Sequence, residues 1–253
     1  WALALYCTIT ALMDPAKPRY WLLAGVAAGL ALLSKYTVVA FAASVFLALT
    51  LIPAYRPQLR RVWPWAGALV ALAVFAPNIW WNAQHQFVTF QHTDDNVFSK
   101  QTNLYFGDLA EMVFGQFFVV GPILLVVLLV SLRQMRSNLL LHCFIWPLVV
   151  AGLIVALMAG AQAHWISPAY LAGLLVVVPL LAERPPRWLR ISLITHLVIL
   201  VLFYSAPAVL AQLQLKKDPL TRLFVWSQLG EEVKPLILAH PNAVLMSTER
   251  KIA

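Results

Sequence analysis

The chain has 253 residues, of which 62% are hydrophobic and only 11% charged, and its mean hydropathy is +0.79. A soluble domain is roughly a quarter charged and under half apolar, so this composition excludes a water-soluble globular protein and marks a polytopic membrane protein. The excess of 18 Lys+Arg over 10 Asp+Glu would suit nucleic acid, but in membrane proteins positive charge reports topology, so its distribution decides.

A hydrocarbon core of ~30 Å asks for about 20 apolar residues per helix, fewer inside a bundle. In chain order the predicted spans are 1–13, 20–33, 38–53, 62–80, 117–132, 139–158, 168–182 and 191–211, about eight membrane segments. The first opens at Trp1 with no initiator Met and no signal-peptide pattern, and the chain stops at "STERKIA", so both ends read as cut. Cys7 and Cys143 lie inside apolar runs and read as small buried hydrophobes.

One connection needs arbitration. As a single helix at ~1.5 Å per residue, Tyr20 to Pro53 would run about 50 Å with Lys35 at its centre. A hairpin turning at Ser34, Lys35, Tyr36 and Thr37 is predicted instead, and the charges agree. With the hairpin, one side receives Lys17 and Arg19, then Arg56, Arg60 and Arg61, then Arg133 and Arg136, then Arg184, Arg187 and Arg190. The positive-inside rule makes that side cytoplasmic. Basic charge thereby loses its nucleic-acid meaning, and no nucleic-acid partner is predicted.

The opposite, outer side receives the polar stretch "WNAQHQFVTFQHTDD" (Trp81 to Asp95), the turn at Lys35, and the return "QAHWISPAY" with Gln162, His164, Trp165, Ser167 and Tyr170. Polar and aromatic groups on three outer connections, against arginine on the inner ones, predict a site at the outer membrane boundary for an amphiphilic substrate. Trp80, Trp81, Trp165 and Tyr170 also suit an ordinary aromatic belt. Lys35 is the sharper candidate, because an ionisable group in so short a turn between apolar spans either binds something or snorkels to the headgroups. His85 and His92, seven apart, share a face only if the segment is helical, and without a third ligand they make weak metal evidence. Asp94 and Asp95 suit a turn cap.

Between 101 and 116, Leu104, Leu109, Met112 and Val113 recur at near-helical intervals with Asp108 and Glu111 between them, which predicts an interfacial amphipathic helix acting as a lid or as packing. From 212 onward the chain becomes water-soluble: Phe224, Leu229, Val233 and Ile237 suit an imperfect amphipathic helix and "NAVLMS" a strand, the start of a small α/β domain over 212–253 beside a transmembrane domain over 1–211. No phosphate-binding glycine loop, nucleophile elbow or HExxH is present.

Taken in order, "GLALLSKYT" (29–37), "PNIWWNAQHQFVTFQ" (77–91), "GQFFVVGPILL" (115–125), "AHWISPAYLA" (163–172) and "DPLTRLFVWSQLGEEV" (218–233) resemble glycosyltransferase family 39, the bacterial membrane transferases related to protein mannosyltransferases and lipid A aminoarabinose transferases. The resemblance implies an all-α, C-type membrane glycosyltransferase of the inner membrane that takes a sugar from a polyprenyl-phosphate carrier and delivers it to a lipid, glycan or protein acceptor at the periplasmic or extracellular face. It also implies that the catalytic acidic pair sits in a first outer loop upstream of this chain, so the chain alone is expected to be inactive. The substrate-binding candidates are Lys35, Tyr36, Trp81, Asn82, Gln84, His85, Gln91, His164 and Trp165. Cationic or donor groups suit the phosphate, amides suit sugar hydroxyls, and indoles stack on a sugar ring. In the aminoarabinose relatives an outer-loop histidine helps hold a divalent metal ion, and His85 is similar in placement. A transporter or a non-catalytic membrane scaffold is the alternative; a transporter requires ionisable groups at mid-span, where this chain has almost none.

Overall fold

The computed structural model describes residues 1–89, 104–159, 161–183, 185–213 and 226–239. They contain helix and no strand. The α-helices are α1 (Ala2–Met13), α2 (Arg19–Ser34), α3 (Val39–Leu51), α4 (Val62–Gln84), α5 (Phe106–Val119), α6 (Pro122–Ser131), α7 (Leu139–Ala159), α8 (Ala169–Ala182), α9 (Arg187–Leu213) and α10 (Trp226–Ala239), with short 3-10 turns at Tyr36–Val38, Arg56–Arg60, Leu132–Gln134 and Ala163–Ile166.

Every predicted span falls on an apolar helix, but spanning length is rarer than the prediction of about eight. Val62–Gln84, Leu139–Ala159 and Arg187–Ala206 are long and apolar enough to cross a membrane. Among the described residues a fourth stretch of spanning length arises only if α5 and Pro122–Gln134 count together, and these meet at 106°. The bend has a local cause. Gly121 takes φ 84, a left-handed conformation that a side chain rarely tolerates, and Pro122 at the next helix start lacks the amide hydrogen that would continue the ladder. The span predicted over 117–132 is therefore two pieces: Phe117–Val119 complete the amphipathic helix, and α6 restarts in a new direction. The remaining apolar helices, α1, α2, α8 and the Tyr36–Leu51 pair of turns and helix, are shorter.

The hairpin at Lys35 is present: α2 ends at Ser34, Lys35 is extended (φ −159, ψ 124), and α3 returns after one 3-10 turn. α2 also lies against α4. A Cβ added to Gly25 would collide with the Gly67 carbonyl, one added to Gly67 with the Trp21 carbonyl, and one added to Gly29 would stand 2.7 Å from the Ala71 oxygen. Small residues at i and i+4 let two backbones approach, the usual way helices associate where lipid competes for apolar surface.

By its contacts the chain divides into two units, Trp1–Thr195 and His196–Ala253. Within the first, a cluster of Ala11, Leu12, Trp21 and Leu49, packed by Tyr55, Leu59 and Leu140, ties together the C-terminal ends of α1 and α3 and the starts of α2 and α7. The arginine-bearing connections open from this end. A larger cluster centred on Phe144, Ile145, Leu148, Ala172 and Val176 fills the middle. Outward faces stay apolar, with Leu193 63% and Phe118 74% exposed, the surface a helix presents to lipid tails. The second unit holds the rest of α9 and α10, whose start at Trp226 matches the predicted amphipathic helix; the strand expected at "NAVLMS" lies outside the described residues.

Candidate functional site at the polar end of the bundle

The end of the first unit opposite the arginines gathers the turn at Lys35, the C-terminal end of α4, the amphipathic α5 and the turn Ala163–Ile166. α4 brings its polar groups there because its last turns, "PNIWWNAQ", place Asn78 and Asn82 four apart on one face. The Tyr36 hydroxyl donates to Asn78 Oδ1 at 2.8 Å, and the Tyr36 ring meets Phe75 edge-on at 5.7 Å. Asn82 Nδ2 donates to the Asn78 carbonyl (3.0 Å) and to Asn78 Oδ1 (3.2 Å). Asn82 Oδ1 in turn accepts from the Thr89 amide at 3.3 Å, and the Asn82 carbonyl accepts from the Phe87 amide at 2.7 Å.

Asn82 is fully buried. Its amide is spent on protein partners, which makes it the brace of the turn that leaves α4. That turn is strained: Gln86 (φ 56) and Phe87 (φ 55) occupy the left-handed region where a side chain costs on the order of 1 kcal/mol or more. The helix thus stops before His85, and the chain reverses. Outside this brace, Trp81 and His85 form an exposed plate, their rings stacked at 4.2 Å and 15°, with His85 Nδ1 2.7 Å from the Trp81 carbonyl. That distance makes Nδ1 the protonated donor and leaves Nε2 as the ring's acceptor. Gln84 is exposed beside them.

Lys35 reaches across to the third connection. Its Nζ lies 5.5 Å from the centroid of the Trp165 ring, a cation–π contact worth about 0.5–1 kcal/mol at an exposed site. Lys35 makes no ion pair among the described residues, so its ammonium is supported by an aromatic face and open to an anion. His164 is exposed, and its carbonyl accepts from Ser167 Oγ at 2.6 Å, which closes the turn.

What holds that turn in place is a buried network that sequence reasoning missed. Gln116, in α5, donates through Nε2 to the Met112 carbonyl (2.6 Å) and to the Ala163 carbonyl (3.1 Å). The Tyr170 hydroxyl donates to Gln116 Oε1 at 2.7 Å. The Tyr105 amide adds a bond to the Leu157 carbonyl at 2.8 Å, fastening the start of α5 to α7. α5 is thereby packed on its neighbours through its Met112 and Gln116 face, while Phe106, Phe114 and Phe118 remain exposed. A lone glutamine inside "FGQFFVV" was the available signal, and Asn78, directly after Pro77 in a spanning helix, was the other.

Gln91, His92, Asp94 and Asp95 lie outside the described residues. Among those described, no group of three His, Cys, Asp or Glu side chains is close enough to hold a metal ion; His85 Nε2 would be one ligand atom for such an ion, and one nitrogen does not make a metal centre.

Comparison with known proteins now bears on this arrangement. The family described as dolichyl-phosphate-mannose-protein mannosyltransferase matches residues 1–81, which take in the Lys35 turn and α4 as far as Trp81. The lipid A galacturonosyltransferase RgtD of Rhizobium johnstonii is 35% identical over 188 residues, 72% of this chain and 39% of that relative. No solved structure gives a significant match. The chain thus spans well under half the length of the curated relative it matches. Apolar helices of spanning length and these two matches, which agree with the motif resemblance, support a multi-pass membrane protein of the glycosyltransferase family 39 type.

Proposed function

We propose that the chain is the carrier-binding part of a membrane glycosyltransferase that takes a sugar from a polyprenyl-phosphate donor and transfers it to an acceptor at the outer face of the inner membrane. One observation carries this reading: three polar connections distant in sequence converge at one end of an otherwise apolar bundle, with Lys35 resting on Trp165 and lacking an acidic partner among the described residues. Arginine at the other end supports a cytoplasmic side there and a periplasmic or extracellular side at the polar end. The names of the matching family and relative support a lipid-linked sugar donor, and the relative's name favours a lipid acceptor over a glycan or protein. Eight membrane segments, some of them half-length, belong to the same proposal.

In the reaction an acceptor hydroxyl attacks the anomeric carbon, the bond from that carbon to the carrier phosphate oxygen breaks, and its electron pair leaves with the phosphate. The acceptor proton goes to a base that the family resemblance puts upstream of this chain. What these residues contribute is binding and charge: the Lys35 ammonium meets the growing phosphate charge, Trp165 and Trp81 offer faces for the sugar ring, Gln84 and His164 offer donors to its hydroxyls, and His85 Nε2 accepts from one. A divalent ion at His85 would add a second positive charge, and no step here depends on it. In the full-length protein, Lys35→Ala should lower transfer from a polyprenyl-phosphate sugar by about two to three orders of magnitude, the scale of ~2–4 kcal/mol lost with one oxyanion-stabilising group. Turnover is read with a radiolabelled donor in proteoliposomes; unchanged turnover in correctly inserted protein leaves Lys35 as a snorkelling anchor and removes the site.

A further inference from the structure

At the arginine end, away from the site above, a trough of about 610 Å³ runs along α6 against α8 and the start of α9. Its size lies within the roughly 300–1,000 Å³ of small-molecule sites. Val126, Val127, Val130, Leu180, Leu181 and Trp188 form its body, and Ser131, Arg133 and Gln134 close one end. Val126 and Val130 remain 53% and 47% exposed, so the packed helices do not fill it.

We propose that this trough binds one anionic glycerophospholipid, with an acyl chain along α6 and the phosphate at the Arg133 guanidinium. Charge is the first reason. Arg133 lines the trough, makes no ion pair among the described residues, and Glu183 at the end of α8 does not reach it; a guanidinium beside apolar surface matches a phosphodiester in charge and in paired donors. Arg56, in another basic loop, is committed differently, since its Nε donates to the Thr50 carbonyl at 2.8 Å. Length is the second reason. α6 has 10 residues, about 15 Å, which is half of a ~30 Å hydrocarbon core. An amphiphile with one charged end and a tail one leaflet long fits this. The third reason is the 106° bend at Gly121, which turns α5 away from the line of α6. The inference rests on residence in a bilayer and not on the transferase reading, so either stands without the other.

The test is native mass spectrometry of the delipidated full-length protein titrated with phosphatidylglycerol, with phosphatidylcholine of the same chains, and with glycerol 3-phosphate. Wild type should bind phosphatidylglycerol about tenfold or more tightly than phosphatidylcholine, whose phosphate is the same acceptor but whose choline cation cancels the headgroup's net charge beside Arg133, and should not retain glycerol 3-phosphate. Arg133→Gln should bring phosphatidylglycerol down to the phosphatidylcholine level, Arg133→Lys should keep most of the preference, and Val126→Trp, which fills the trough, should weaken both lipids. Equal binding of the two lipids by wild type, or phosphatidylglycerol binding that Arg133→Gln and Val126→Trp leave unchanged, overturns the proposal. So does a wild type that retains no lipid because another protein segment occupies the trough.

Discussion

Gln116 joins three helical elements through one amide: its own helix by the Met112 carbonyl, the Ala163–Ile166 turn by the Ala163 carbonyl, and α8 by the Tyr170 hydroxyl. Both Gln116 and Tyr170 are buried, at 5% and 7% exposure. Removing the hydroxyl with Tyr170→Phe leaves Gln116 Oε1 without its donor, and a buried unsatisfied acceptor costs about 1–3 kcal/mol. The double variant Tyr170→Phe/Gln116→Leu removes both partners and should recover part of that loss. Thermal unfolding in detergent reads the difference; a single variant as stable as wild type would show that the bond contributes nothing net. Lys35 was legible as a candidate because a cation between two apolar runs has no cheap alternative environment. Trp165 was legible as a candidate too, but its pairing with Lys35 was not, since 130 positions separate them and only the fold sets their distance.

Among the elements, the α2–α4 crossing depends on having no side chain where the backbones touch. Gly25→Leu or Gly67→Leu should force the helices apart, at a cost of at least the ~1–3 kcal/mol of an overpacked core, because the obstacle in each case is a backbone carbonyl that cannot rotate away. Gly107→Ala, where a Cβ would meet nothing within 4 Å, is the control and should be neutral or stabilising by up to about 1 kcal/mol. Unfolding temperature and the monodisperse fraction on size exclusion compare the two; equal behaviour of Gly25→Leu and Gly107→Ala contradicts close contact at this crossing. Moving α2 from α4 also moves Tyr36 from Asn78, so loss of site function should accompany loss of stability. Helix existence was legible here from apolar runs. The break at Gly121 was legible but overlooked: "FVVGPILL" reads as one apolar run, yet its Gly-Pro pair is a local breaker, since the residue before a proline disfavours the helical conformation and proline lacks the amide hydrogen.

For the molecule as a whole, the charge asymmetry and the contacts give the same two-ended arrangement, with arginine loops at one end and polar, aromatic turns at the other. Single cysteines at Gln162 and Ser137, both exposed, should therefore differ in intact cells: an impermeant thiol reagent should modify the first and spare the second. The native Cys7 and Cys143 are buried and should stay silent. The reverse labelling would invert the topology and with it the face on which the proposed transfer occurs.

Sequence alone determined the membrane class, the places of the apolar helices, the hairpin at Lys35 and the segregation of charge, because each follows from local composition and from the energy of placing charge in hydrocarbon. Tertiary structure decided which of those helices are long enough to span, that Asn82 braces a turn while Lys35 stays open, and that Gln116 with Tyr170 fixes the third wall of the site. These are contacts between residues far apart in the chain. Hydrogen-bond satisfaction of buried amides and steric fit between helices depend on the distance between elements, and no local pattern of residue types carries that information.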